Sequence, residues 1–133
     1  MRTPMILNLD HPLDAEHVSQ IAEMIGKPIN EVVMPVTITL SPLEPQLQAL
    51  FARIKNFFRQ EPPDLVIFPR DGVVAALIAE WLRRTYFTFP LVVRMRYPVG
   101  KCGAWEVQEI VAPNIIDGPQ EQEFRYTEVE DWM

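Results

Sequence analysis

The sequence predicts an α/β domain: a three-layer sandwich with a mainly parallel sheet and an antiparallel hairpin at its carboxyl end. Two observations predict it. Short apolar, β-branched runs alternate with segments whose apolar residues recur three and four positions apart, in the order β-α-β-α-β-α-β-β. The last two runs, Leu91–Tyr97 and Trp105–Val111, follow each other with only the loop Tyr97–Gly103 between them, which suits an antiparallel pair. The chain has 133 residues, enough for one domain that buries about two-thirds of its unfolded surface.

Met5–Leu9 is the first strand, ended by Asp10-His11-Pro12. Asp14 is a candidate N-cap for the first helix, with Glu16 and His17 in its first turn. Val18, Ile21, Ala22 and Ile25 form its apolar face, and Gly26 then Pro28 stop it. Glu31–Leu40 reads as the second strand, and Pro35 within it implies an edge position or a bulge. Ser41 is the expected N-cap of the second helix, with Pro42 at its first helical position. Leu43, Leu47, Leu50, Phe51, Ile54 and Phe58 make its stripe, and Pro62-Pro63 end it. Asp64–Phe68 is apolar throughout after its first residue, as a strand covered on both faces should be. The third helix runs from Gly72 to Arg84 and is apolar nearly all round, which predicts a deep position or a subunit interface. Trp81, Phe57 and Phe58 are read as core or dimer interface.

Residues 1–111 form the domain. Residues 112–133 are polar, acidic and broken by Pro and Gly, and are expected to be an extension that acts as an arm or a late strand. The single cysteine, Cys102, excludes an intramolecular disulfide and is treated as incidental. One Cys and two His give no metal constellation, so neither metal nor cofactor is expected. No apolar run approaches the ~20 residues of a membrane span, and no leader pattern opens the chain. The expected location is cytoplasmic, with no membrane partner.

In open α/β sheets, ligands bind beyond the carboxyl ends of the parallel strands. That rule selects three loops. The first holds Asn8, Asp10 and His11. Asn8, polar within an apolar strand, either caps a neighbouring loop or faces a ligand. His11 is a phosphate contact or proton carrier if it is not a surface residue. His17 is expected to face solvent or cap the helix. The second loop holds Ser41. The third is Pro69-Arg70-Asp71-Gly72. There Arg70 offers a fork of donors, Gly72 permits close approach, and the helix that follows presents free N–H groups to an anion. The competing reading makes this loop a turn with Asp71 as the N-cap. Arg94 and Arg96 share one face of the fourth strand, opposite Val93 and Met95. They suit an anion, and suit still better pairing with Glu106 or Glu109 across the hairpin. No Ser-His-Asp order and no pair of catalytic carboxylates can be assembled, so no confident catalytic residue emerges.

These residues resemble a family. Ile-Leu-Asn-Leu-Asp-His-Pro-Leu, the helix AEHVSQIAEMIG, the Pro-x-x-Gly loop before an Ala- and Leu-rich helix, FPLVVRMRYPVG, and the Trp-Glu-Val-x-Glu-Ile strand are similar to the small stand-alone accessory proteins of type III CRISPR systems. These are single-domain relatives of the CRISPR-associated Rossmann fold, so the resemblance implies a Rossmann-like sandwich over residues 5–111. Where the family usually has a small residue such as Ser, this chain has Asp10, an added negative charge beside the proposed anion site. The resemblance implies a homodimer, or a higher homo-oligomer, that binds a cyclic oligoadenylate, chiefly the tetra-adenylate, across its two-fold axis. A ring of four nucleotides shares that symmetry.

Two mechanisms follow. The protein sequesters the messenger and so lowers its free concentration. Alternatively it is a metal-independent ring nuclease, in which a ribose 2′-OH attacks its own phosphate with help from His11 or Arg70. The lack of a clear general base favours sequestration. A rival of another class is a protein-interaction module that uses the apolar third helix and the acidic tail.

Net charge −6 argues at first against an anionic ligand. The charge is uneven, however. Residues 1–111 carry 11 basic and 12 acidic side chains, and residues 112–133 carry one basic and six acidic. The balance excludes broad binding of long nucleic acid and leaves a small anion open.

Overall fold

The computed structural model describes residues 3–37, 42–96 and 105–113. Five strands and three helices alternate as expected: β1 (Met5–Asn8), α1 (Ala15–Ile25), β2 (Asn30–Val33), α2 (Leu43–Phe58), β3 (Leu65–Ile67), α3 (Gly72–Tyr86), β4 (Leu91–Arg96) and β5 (Glu106–Val111). The strand order is β2-β1-β3-β4-β5. The first four strands are parallel, and β5 runs antiparallel to β4. The fold is therefore the α/β, Rossmann-like sandwich the sequence predicts. The chain moves from β1 to β2 on one side and returns to β3 on the other. Its switch point lies between β1 and β3.

Alternation along the strands builds two cores. Leu7, Leu9 and Val66 face α2 and α3, where they meet Leu50, Ile54, Val74, Ile78 and Leu82. Ile6, Leu65, Ile67 and Val93 face α1, where they meet Ile21 and Val18. The central strands are apolar on both faces because both are covered.

Helix ends follow local chemistry. Asp14 caps α1 through the His17 N–H at 2.8 Å, and Gly26 closes it in the left-handed region at φ 75°. α2 differs from its reading. Pro42 occupies the cap position in an extended conformation and provides no side-chain bond, so the helix begins one residue later. Ser41 lies outside the described residues. α2 also stops before Pro62, at Arg59, which takes φ 56° and donates its N–H to the Lys55 carbonyl at 2.7 Å.

β2 is shorter than the sequence suggested and ends at Val33. It is an edge strand, as Pro35 implied. Met34 and Val36 still donate to the carbonyls of Asn8 and Leu9. Pro35 lies between these two donors, beyond the end of β2, where its missing N–H interrupts no ladder bond. α3 is not deep on all sides. Val74, Ile78, Leu82 and Tyr86 enter the core, while Val73 is 65% and Leu77 45% exposed. No helix among the described residues is long and apolar enough to cross a membrane.

Candidate functional site

β3 and β4 pair only through Leu65–Leu91 and Val66–Val92. Beyond that point β3 ends, while β4 continues to Arg96 against β5. The strands part, and a crevice of about 370 Å3 opens between them at the carboxyl edge of the sheet. Its floor includes the buried Ile67 and Val93. Phe68, Pro69 and Arg70 line one side, Arg94 and Met95 the other, and Asp10 reaches in from the switch point. Apolar walls with a few polar groups at the rim are what small-ligand sites usually present.

Asn8 is fully buried on the α1 side of β1. Its amide nitrogen donates to the His11 carbonyl at 2.6 Å and to Glu31 Oε2 at 2.7 Å. Its oxygen accepts from the Asp10 N–H at 2.9 Å. Both donors are committed, so Asn8 shapes the loop and does not reach a ligand. Glu31 is its counterpart on β2. The same Oε2 accepts the Leu13 N–H at 2.9 Å, pinning the far end of the loop. Sequence reading missed Glu31, because its position opposite Ile6 depends on the β1–β2 register.

The loop so held presents Asp10 and His11. Asp10 is 12% exposed, with Oδ2 3.8 Å from Arg70 Nε and Oδ1 3.9 Å from His11 Nε2. Arg70 and Asp10 thus meet across the switch point. Arg94 donates to Glu109 Oε1 at 3.0 Å, the cross-hairpin pairing that sequence spacing favoured. Both of its partner's carboxylate and its own guanidinium are largely exposed. Such exposed pairs contribute only ~0–1 kcal/mol, whereas a charged hydrogen bond to phosphate contributes roughly 1.5–3 kcal/mol. An anion can therefore draw on Arg70 and Arg94.

The α3 N-terminus is not open in the manner of a free phosphate cradle. Asp71 Oδ1 accepts from the Val73 N–H at 3.0 Å and the Val74 N–H at 3.1 Å. The carboxylate holds the position a phosphate would take, so Asp71 is the helix cap. Gly72 has no need of left-handed backbone freedom, and a Cβ there would meet nothing within 4 Å. That space borders the Arg70 loop.

His17 is buried, not solvent-facing. Its Nε2 lies 2.8 Å from the Trp105 carbonyl, which can only accept, so Nε2 carries the proton. Nδ1 then accepts the Asp14 N–H at 3.4 Å, completing a capping box. Both histidines of the chain meet the Trp105 ring edge to face, His17 at 5.3 Å and His11 at 6.3 Å between centroids. Trp105 immediately precedes β5 at the same carboxyl edge, a placement that only the hairpin register reveals. Among the described residues no group of three His, Cys, Asp or Glu is placed to hold a metal ion. Cys102 lies outside the described residues.

No family model matches this chain, and comparison with curated proteins and with solved structures finds no match.

Proposed function

We propose that this protein binds a cyclic oligoadenylate, the tetra-adenylate first among them, across a homodimer axis and restrains type III CRISPR signalling by sequestration. One observation carries the reading: a crevice at the carboxyl edge of the sheet with Arg70 on one lip and Arg94 on the other. Two cations on opposite lips suit a phosphodiester that enters between them. A crevice of about 370 Å3 has room for one nucleotide and not for a ring of four. A ring therefore needs more than one copy of the site, which a two-fold dimer supplies. The resemblance of residues 5–111 to the type III accessory proteins supports the same ligand. Sequestration acts by mass action and needs no chemistry at the site.

A second reading has one observation in its favour. His11 is exposed and lies 3.9 Å from Asp10, which lines the crevice, so an imidazole stands one residue from the ligand position. In that reading a ribose 2′-OH loses its proton to His11 and attacks the adjacent phosphorus. The 5′-oxygen leaves, takes up a proton, and a 2′,3′-cyclic phosphate remains.

Labelled cyclic tetra-adenylate, incubated with the protein at limiting and at excess ligand, separates the two. Retained, intact ring is expected. Linear product beyond one turnover replaces sequestration by cleavage, and neither binding nor product removes the nucleotide reading.

A further inference from the structure

β3 stops before its neighbour, and the consequence falls on the backbone of β4. The Leu91 N–H donates to the Asp64 carbonyl at 3.0 Å, so the peptide groups of Leu91, Val93 and Met95 turn towards β3. Those of Val92, Arg94 and Arg96 turn towards β5. The irregularity in the hairpin adds Gln108 to β5, between the Arg94–Glu109 and Met95–Val107 pairs, and leaves the alternation of β4 intact. On β3 the Ile67 carbonyl accepts the Leu9 N–H at 2.9 Å, so Ile67 turns towards β1 and Phe68 is next in line for β4. In a parallel ladder the Phe68 N–H would donate to the Val93 carbonyl, and its carbonyl would accept from the Met95 N–H. Neither bond forms, because pairing ends at Val66–Val92. Among the described residues the Val93 carbonyl and the Met95 N–H have no hydrogen-bond partner, and both residues line the crevice.

The walls of the crevice suit a flat ring lying in the plane of the sheet. Ile67, Val93 and Met95 belong to the core on the α1 side, and Phe68 and Val92 to the core on the α2–α3 side. All five line the crevice, so a ring set edge-on to β4 meets apolar side chains on both faces. Peptide groups at an apolar site are costly without partners, so a ligand that supplies both gains what the protein alone forgoes. The missing partner is an N–H donor beside an acceptor, placed as in one residue of a strand. The amine and the ring N1 of adenine present that pair on a single edge.

We propose that the crevice reads adenine through the backbone of β4: the Val93 carbonyl accepts from the adenine N6 amine, and the Met95 N–H donates to N1. The base takes the place of the β3 residue that is absent from the ladder, while Arg70 and Arg94 hold the phosphate it carries. The inference rests on the nucleotide reading above for those phosphate contacts, and it names the groups that select the base.

Amide spectra of the isotope-labelled full chain, titrated with AMP to millimolar concentration, test it, with ribose 5-phosphate as the control for the phosphate alone. AMP is expected to move the Met95 amide proton downfield, as a new hydrogen bond does, and ribose 5-phosphate to leave it in place. The 1-deaza analogue of AMP, which has C–H where adenine has N1, should bind about tenfold more weakly and leave that proton unmoved. Equal affinity of AMP and the 1-deaza analogue overturns the proposal, as does a Met95 amide that AMP never moves. In either case cyclic tetra-adenylate that still binds leaves the sequestration reading standing. AMP that behaves as expected while cyclic tetra-adenylate fails to bind does the reverse: the adenine site stands and the messenger reading falls.

Discussion

Asn8 on β1 and Glu31 on β2 are joined by a 2.7 Å hydrogen bond from the Asn8 amide to Glu31 Oε2. Through it a fully buried side chain ties the loop carrying Asp10 and His11 to the edge strand. Replacing Asn8 by Ala removes two donated bonds and one accepted bond inside the protein. The Glu31 carboxylate then loses a partner where it is only partly hydrated. Asn8→Ala should lower unfolding free energy by roughly 2–3 kcal/mol, read from urea midpoints. A loss below about 0.5 kcal/mol, the size of an ordinary surface change, would contradict this account of the loop.

Arg70 and Asp10 oppose each other in their effect on an anion. Arg70→Ala should weaken binding of cyclic tetra-adenylate by ~1–3 kcal/mol, since a charge-assisted contact to phosphate is lost. Asp10→Asn should strengthen it by about 1 kcal/mol. It removes a negative charge from the crevice and releases Arg70. Equal affinity in both variants would place the ligand elsewhere.

Gly72 separates stability from binding. Its backbone is not left-handed and a Cβ meets no neighbour, so Gly72→Ala should stabilise the fold by about 0.4–1 kcal/mol. The added methyl projects into the space beside Arg70, so messenger affinity should fall. Calorimetric unfolding and titration of the same variant give both signs.

The Tyr86 hydroxyl is buried with no hydrogen-bond partner among the described residues. A buried unpaired hydroxyl costs ~1–3 kcal/mol, so Tyr86→Phe should raise stability by about 1 kcal/mol. Burial also pushes the Tyr86 phenol above its ordinary value of 10.0, because the charged form is poorly solvated there. The folded state then keeps a proton that the unfolded state gives up. Stability contributed by the neutral phenol is complete below pH 10 and is lost as pH rises above it. Tyr86→Phe should flatten that alkaline decline, and denaturant midpoints on either side of pH 10 measure the difference.

The strand and helix alternation was legible because each element announces itself locally. Asp14 and Gly26 bracket α1, Pro35 marks the edge strand, and the β-branched runs mark the central strands. The Arg94–Glu109 pair was also legible, since hairpin strands sit close in sequence. What was not legible depends on register between distant strands. Glu31 meets Asn8 only because β2 lies parallel to β1, and Trp105 meets both histidines only because β5 brings it to the α1 side. The crevice arises where β3 ends before β4 does, a length difference that Phe68-Pro69 in sequence does not reveal. At α3 two local readings of one tetrapeptide competed. Asp71 took the helix donors because a carboxylate two residues from the first free N–H reaches it without leaving the chain.

The proposed binding mode requires two copies of one crevice to share one ring. Native mass spectrometry of the full chain titrated with cyclic tetra-adenylate tests it directly. Saturation at one intact ring per two chains is expected. Saturation at one ring per chain, or no complex at all, would contradict it.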